Sequence, residues 1–207
     1  MEIKEEFKEK YIEHSTSIYN RITNALHDYY YLSELEEIVK NISFTKVEKF
    51  FLGNSLNCLG TIIYSLKKDF ALLVWGLCID SDKNANTICK LRNNIIRNFA
   101  FSIDKTDFTI NPKFNNDLNT TLRDARSKLI AHSDYIISFG TLNLDLLFNE
   151  FLQFIDLFNQ CVTNELTRNL IIDAKRRFDI NSQCKYGLKQ LFTGEMLDFY
   201  KKIGGML

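Results

Sequence analysis

From Glu2 to Tyr31 apolar residues recur at Ile3, Phe7, Tyr11, Ile18, Ile22 and Leu26. This spacing lines one side of a helix and predicts a long amphipathic first helix over residues 2–31. Ser33 followed by Glu36, and Thr45 followed by Glu48, match the capping box, so two further helix starts are expected there. The second start leads into Val47, Phe50, Phe51, Leu59, Ile62, Ile63 and Leu66, then into the apolar run Phe70 to Ile79 around Trp75. Apolar on too many sides for a surface element, this segment is expected to be the central helix, with a candidate break at Lys67 to Asp69. The polar stretch Asp80 to Asn84 ends it, and Ile88, Leu91, Ile95 and Phe99 define the next helical face. Between Ser102 and Ile110 the alternation is too short to choose between a small hairpin and coil.

Asn111 is expected to cap a helix whose first residue is Pro112, the position where a missing amide costs least. That helix, over about residues 112–132, carries Phe114, Leu118, Leu122, Ala125 and Leu129 inward. After an irregular Ser133 to Gly140, a strongly apolar helix is predicted from Asn143 to Leu166 through Leu147, Phe151, Phe154, Ile155, Phe158 and Val162. Thr167 to Tyr200 reads as one or two helices bearing the basic cluster Lys175, Arg176 and Arg177. One proline and 8 glycines leave few helix breakers, and no Pro, Gly or Ser-rich linker or internal repeat divides the 207 residues. The expectation is an all-α bundle of five or more helices in one domain over residues 1–207, with the C-terminal helices within 143–200.

Charge and cysteine usage narrow the chemistry. The formal net charge is +0, which gives the whole chain no long-range attraction for nucleic acid, so phosphate binding must come from a local patch. Cys58, Cys78, Cys89, Cys161 and Cys184 are far apart and lack the close pairs of zinc or redox motifs; they are expected to be buried, reduced thiols, with no metal or cofactor. Met1 to Lys10 is charged rather than signal-like, and the run Phe70 to Ile79 is too short to span a bilayer. A cytoplasmic protein with no membrane partner is therefore expected.

The segment richest in chemistry is Thr121 to Tyr135, which reads Thr-Leu-Arg-Asp-Ala-Arg-Ser-Lys-Leu-Ile-Ala-His-Ser-Asp-Tyr and places Arg126 six positions before His132. An Arg followed by a His near the end of a helix resembles the signature of the HEPN superfamily. Arg-Ser-Lys-Leu-Ile-Ala-His-Ser-Asp is similar to the Arg-x-Lys-x-x-Ala-His-x-Asp form of the AbiU-type abortive-infection branch. Asp69 to Leu91, with Trp75, Asp80 and Asp82 before a polar turn, is more faintly similar to a helix and turn of that branch. The position after the Arg, usually Asn, Asp or His in the active nucleases, is Ser127 here. The resemblance implies a HEPN-like bundle and a metal-independent endoribonuclease of a bacterial toxin–antitoxin or phage-defence system. It also implies RNA as substrate, a homodimer with one composite cleft, and a cognate antitoxin or other defence protein as partner. The alternatives are a non-catalytic HEPN-like module that binds RNA or a nucleotide, and a helical adaptor in a defence system.

The residue types fit metal-free RNA cleavage on physical grounds. Such cleavage needs a group that titrates near neutrality to move protons and a cationic fork for charge developing on the phosphate. His132 is assigned as general base or acid and Arg126 as the phosphate clamp, supported by Ser127, Lys128 and Asp134. Arg123, Lys175, Arg176 and Arg177 are candidate RNA-backbone contacts. Six residues of helix advance about 9 Å and leave two side chains roughly 120° apart, so Arg126 and His132 converge on one phosphate only with a frayed helix end or a second subunit. His14 and His27 are expected to be ordinary surface or partner-facing residues, and Tyr29, Tyr30 and Tyr31 to pack at a bundle end.

Overall fold

The computed structural model describes residues 1–41, 53–82, 84–103, 108–131 and 142–193, of which 38–41, 53–59, 102, 125–131 and 190–193 are described by their backbone alone. These residues form an all-α bundle. In order, β1 (Glu2–Ile3) and a 3₁₀ turn (Glu5–Phe7) lead into α1 (Lys8–Asn41), followed by α2 (Gly53–Cys78) and α3 (Ile88–Asn94). A π-helical turn (Ile95–Phe99) runs into β2 (Ala100–Ser102), then come α4 (Asn116–Ala131), α5 (Leu144–Cys161), a 3₁₀ turn (Arg168–Leu170) and α6 (Ala174–Thr193). No described helix is long and apolar enough to cross a membrane.

The centre of the bundle is α1 rather than the second helix. Tyr11, Ile18, Ile22, Ala25, Leu26, Leu32 and Leu35 are all buried, with α2 packed on one side and α6 on another. In α2, by contrast, Ile62 is exposed while Phe70, Ala71, Val74 and Leu77 face the core. The capping box at Ser33 and Glu36 starts no helix. The backbone stays helical to Asn41, and Glu36 instead pairs with Lys67 of α2 at 2.7 Å. The box at Thr45 and Glu48 lies outside the described residues. No break occurs at Lys67 to Asp69, where α2 is continuous. The turn after α2 is folded by its own carboxylates, Asp82 N–H donating to Asp80 and Asn84 N–H to Asp82. Arg21 of α1 pins that turn by donating to the Asn86 carbonyl at 2.8 Å, and it passes so close to Gly76 that a Cβ there would sit 2.5 Å from its Nη2.

The first helix starts later than its apolar pattern predicts, because Ile3 belongs to a strand. β1 pairs antiparallel with β2, Ile3 opposite Ala100 and Glu2 opposite Ser102, and Lys4 N–H donates to Phe99 O at 2.8 Å. Ile88, Leu91, Ile95 and Phe99 are all buried, as their spacing predicts. The predicted Asn111 cap gives way to Asn115, whose side chain accepts from Leu118 N–H at 2.8 Å, so α4 begins at Asn116. Asn143 caps α5, accepting from Leu146 N–H at 2.9 Å. That helix ends at Cys161, short of Leu166, because Asn159 exchanges two hydrogen bonds with the backbone of Ile172 and turns the chain back. The Tyr11 hydroxyl donates to Cys161 O at 2.8 Å and lies 2.7 Å from Thr167 Oγ1, joining α1 to this corner. Burial pushes its pKa up to about 12, consistent with a neutral structural phenol.

Candidate functional site

The helix that carries the Arg126 segment is held at its start by two contacts with α5. Glu150 accepts from both the Asn115 N–H at 3.0 Å and the Asn115 side-chain amide at 2.9 Å. One residue earlier, Phe114 stacks on Phe154 with ring centroids 4.9 Å apart. Leu118 and Leu122 then bury one face of α4, and the helix also packs on α2.

Arg123 is exposed on α4. Positions 126, 127 and 128 lie in its last turns. Position 126 follows the buried Leu122 by one turn and so falls about 40° from it, at the edge of the packed face, whereas 127 falls on the outer side and 128 on the opposite flank, about 80° from Leu118. His132 and Asp134 lie outside the described residues.

The basic cluster at the start of α6 is divided by its contacts. Asp173 caps the helix, accepting from Arg176 N–H at 2.7 Å. Arg176 donates to the Tyr19 hydroxyl at 2.8 Å, Arg177 reaches back to Ile172 O at 3.5 Å, and Lys175 is exposed. Tyr29 stacks flat on Phe148 at 3.7 Å and donates to Asp145 at 2.9 Å, and Tyr30 meets the same ring edge-on. The three tyrosines thus pack against the core rather than stand open. His14 is half-buried, edge-on to Phe99.

The polar site that the sequence conceals is an open groove of about 500 Å³ between α1 and α2, lined by Asn24, His27, Asp28, Asp69, Leu72 and Leu73. Behind it Cys184 of α6 places its sulfur 3.5 Å from His27 Nδ1. The pair resembles a nucleophile and its base, but its electrostatics oppose that role. Burial, then the Asp28 carboxylate, pushes the thiol up to about 11, so sulfur stays protonated and the contact is structural. Burial also lowers the His27 pKa, with Arg176 adding to the effect. Asp28 is pushed up to about 6 by burial and by the facing Asp69. Among the described residues no group of three or more His, Cys, Asp or Glu is placed to hold a metal ion.

This groove sets a pH dependence with a definite sign. Between the ordinary carboxyl value and about 6, folded Asp28 binds more protons than it does in the unfolded chain. Its contribution is therefore full below about pH 4 and lost as pH rises through 6. His27, whose folded value is depressed, has the opposite slope. Asp28→Asn removes the Asp28 slope alone. The variant is expected to be more stable than the parent above pH 6 by on the order of 1 kcal/mol, discounted for a carboxyl that still meets solvent, with the gain vanishing toward pH 4. Thermal unfolding of both proteins across that range measures it, and a gain independent of pH rules the assignment out.

No family model, no curated protein and no solved structure matches the chain.

Proposed function

We propose that the protein is a metal-independent endoribonuclease of a bacterial toxin–antitoxin or phage-defence system, cutting RNA where the Arg126 to His132 segments of two subunits meet. The observation that carries this reading is the Arg-Ser-Lys-Leu-Ile-Ala-His-Ser-Asp run, which begins in the last turns of a helix within an all-α bundle. In the proposed reaction the ribose 2′-oxygen, losing its proton, attacks the adjacent phosphorus. The bond to the 5′-oxygen breaks, that oxygen takes up a proton, and a 2′,3′-cyclic phosphate remains. His132 handles one of the two protons and Arg126 neutralises the phosphate.

Purified protein is expected to cleave single-stranded RNA in the presence of EDTA and to leave 2′,3′-cyclic phosphate ends. Activity that vanishes on chelation removes the mechanism. The roughly 120° offset between positions six residues apart makes a two-fold pair the simplest way to complete the site. Light scattering should accordingly give about twice the 24.2 kDa chain mass. A folded, monomeric and fully active protein would show that one chain suffices.

A further inference from the structure

Two large aromatic side chains stand out on the surface of α6, Phe178 at 68% exposure and Tyr186 at 67%. Their register explains it. Ile180, Cys184 and Leu188 are the buried positions among the described side chains of this helix, and at about 100° per residue Lys175, Phe178, Ser182, Lys185, Tyr186 and Lys189 fall within an arc of roughly 100° on the opposite side. The helix is also the local basic patch that a neutral chain needs in order to meet a polyanion. Lys175, Arg176, Arg177, Lys185 and Lys189 against Asp179 give five positive and one negative charge, a net of +4, whereas the chain as a whole has +0. Arg176, which donates to Tyr19, lies on the flank and Arg177, which donates to Ile172 O, on the inner side, so by register and exposure the outer stripe carries the three lysines and the two rings, with the exposed Asp179 at its edge beside Tyr186. Lys185, at one edge of the stripe, lies 3.6 Å from Glu34 and keeps its side chain 49% exposed.

We infer that this outer stripe of α6 is a track for single-stranded RNA, with bases stacking on Phe178 and Tyr186 and phosphates meeting Lys175, Lys185 and Lys189. Cationic side chains interleaved with exposed rings are the composition that binds single strands, the charge drawing in the backbone and the rings taking any base. The rings are about 12 Å apart along the helix axis, well beyond the ~3.4 Å step of stacked duplex bases, so a strand lying here is splayed and single. A membrane surface fits less well. The rings are separated by Asp179, Ser182 and Gln183, without the continuous aliphatic face that an interfacial helix buries. A second copy fits less well too, since a two-fold contact through this stripe sets like charge against like. The track rests on the proposed ribonuclease only in taking RNA as the ligand.

Binding is measured by fluorescence anisotropy on a labelled 12-nucleotide 2′-O-methyl RNA, which cannot be cut because its 2′-oxygens are blocked. The same strand is titrated against Arg126→Ala, whose lost cleavage is scored separately, so the two readings fail independently. The pair Phe178→Ala and Tyr186→Ala is expected to weaken binding about tenfold or more, and Phe178→Tyr to preserve it. Replacing Lys175, Lys185 and Lys189 together by Ala is expected to reduce the slope of log affinity against log salt by about 2. Circular dichroism checks that each variant folds. Wild-type protein that ignores the RNA, whether or not it binds phosphatidylglycerol vesicles, overturns the track. So does a double aromatic variant that binds within twofold of wild type.

Discussion

Arg126→Ala and His132→Ala are each expected to reduce RNA cleavage by about 10²- to 10⁴-fold, the range that a positioned acid or base supplies, with the circular dichroism of the fold unchanged. Arg126→Lys should lie between, because an ammonium keeps the charge but loses the two-pronged match to phosphate oxygens. The two alanine variants also report where the partners of the site come from. If Arg126 of one subunit works with His132 of the other, a mixture of the two inactive variants forms hybrid dimers with one intact pair. After subunit exchange, activity should return to about a quarter of wild type, since about half the dimers are hybrids and each has one pair of two. If exchange is demonstrated and no activity returns, Arg and His act within one chain. Full activity in one variant removes that residue from the reaction, and full activity in both removes the proposed mechanism.

The parts of this fold that were legible in the sequence are those decided by neighbours a few residues away. α5 could be read from its Asn143 cap and from the spacing of Leu147, Phe151, Phe154, Ile155 and Phe158, all of which are buried. The face of Ile88, Leu91, Ile95 and Phe99 survived even where the helix changes from α to π geometry, because burial follows the apolar spacing more than the hydrogen-bond pattern. What could not be read was set by distant partners. Ile3 looked like the first turn of a helix because nothing near it announces Ala100, its partner across the strand pair. Asn111 before Pro112 is the better local cap, yet Glu150 of α5 takes Asn115 instead. Ser33 and Glu36 match a helix start, but Leu32 and Leu35 are buried on either side of Ser33, and packing carries α1 straight through it.

The candidate sites divide in the same way. Arg126 and His132 announce themselves by type and spacing along one stretch of chain. The Phe178 and Tyr186 stripe was hidden until the buried positions of α6 fixed which side faces out. The groove of His27, Asp28 and Asp69, backed by Cys184, draws on three helices, so no local spacing could reveal it.

Phe154→Ala is expected to destabilise the protein by about 3–5 kcal/mol, the largest single loss foreseen for a side chain outside the reaction. Phe154 is 3% exposed, and its ring lies against Phe114 at 4.9 Å. Phe114 immediately precedes Asn115, the cap of α4. Truncation opens a cavity under the start of the helix that carries Arg126, and the neighbours that would have to collapse into it are themselves tied by the Asn115 to Glu150 hydrogen bonds. For a chain of this size the loss corresponds to a fall in Tm of about 10 °C. Glu150→Ala, which removes two exposed hydrogen bonds and leaves no cavity, should cost only about 1 kcal/mol. Phe178→Ala is the matched control, since it deletes the same side chain from a position 68% exposed and should change stability by no more than about 0.5 kcal/mol. Denaturant unfolding of the three variants orders them, and the order itself carries the argument. If Phe178→Ala proves as costly as Phe154→Ala, then Phe178 is packed rather than presented, and α6 does not offer its outer side to a ligand. If Phe154→Ala is mild, α4 is held by something other than the Phe114 stack, and the account of how the Arg126 helix is positioned has to be rebuilt.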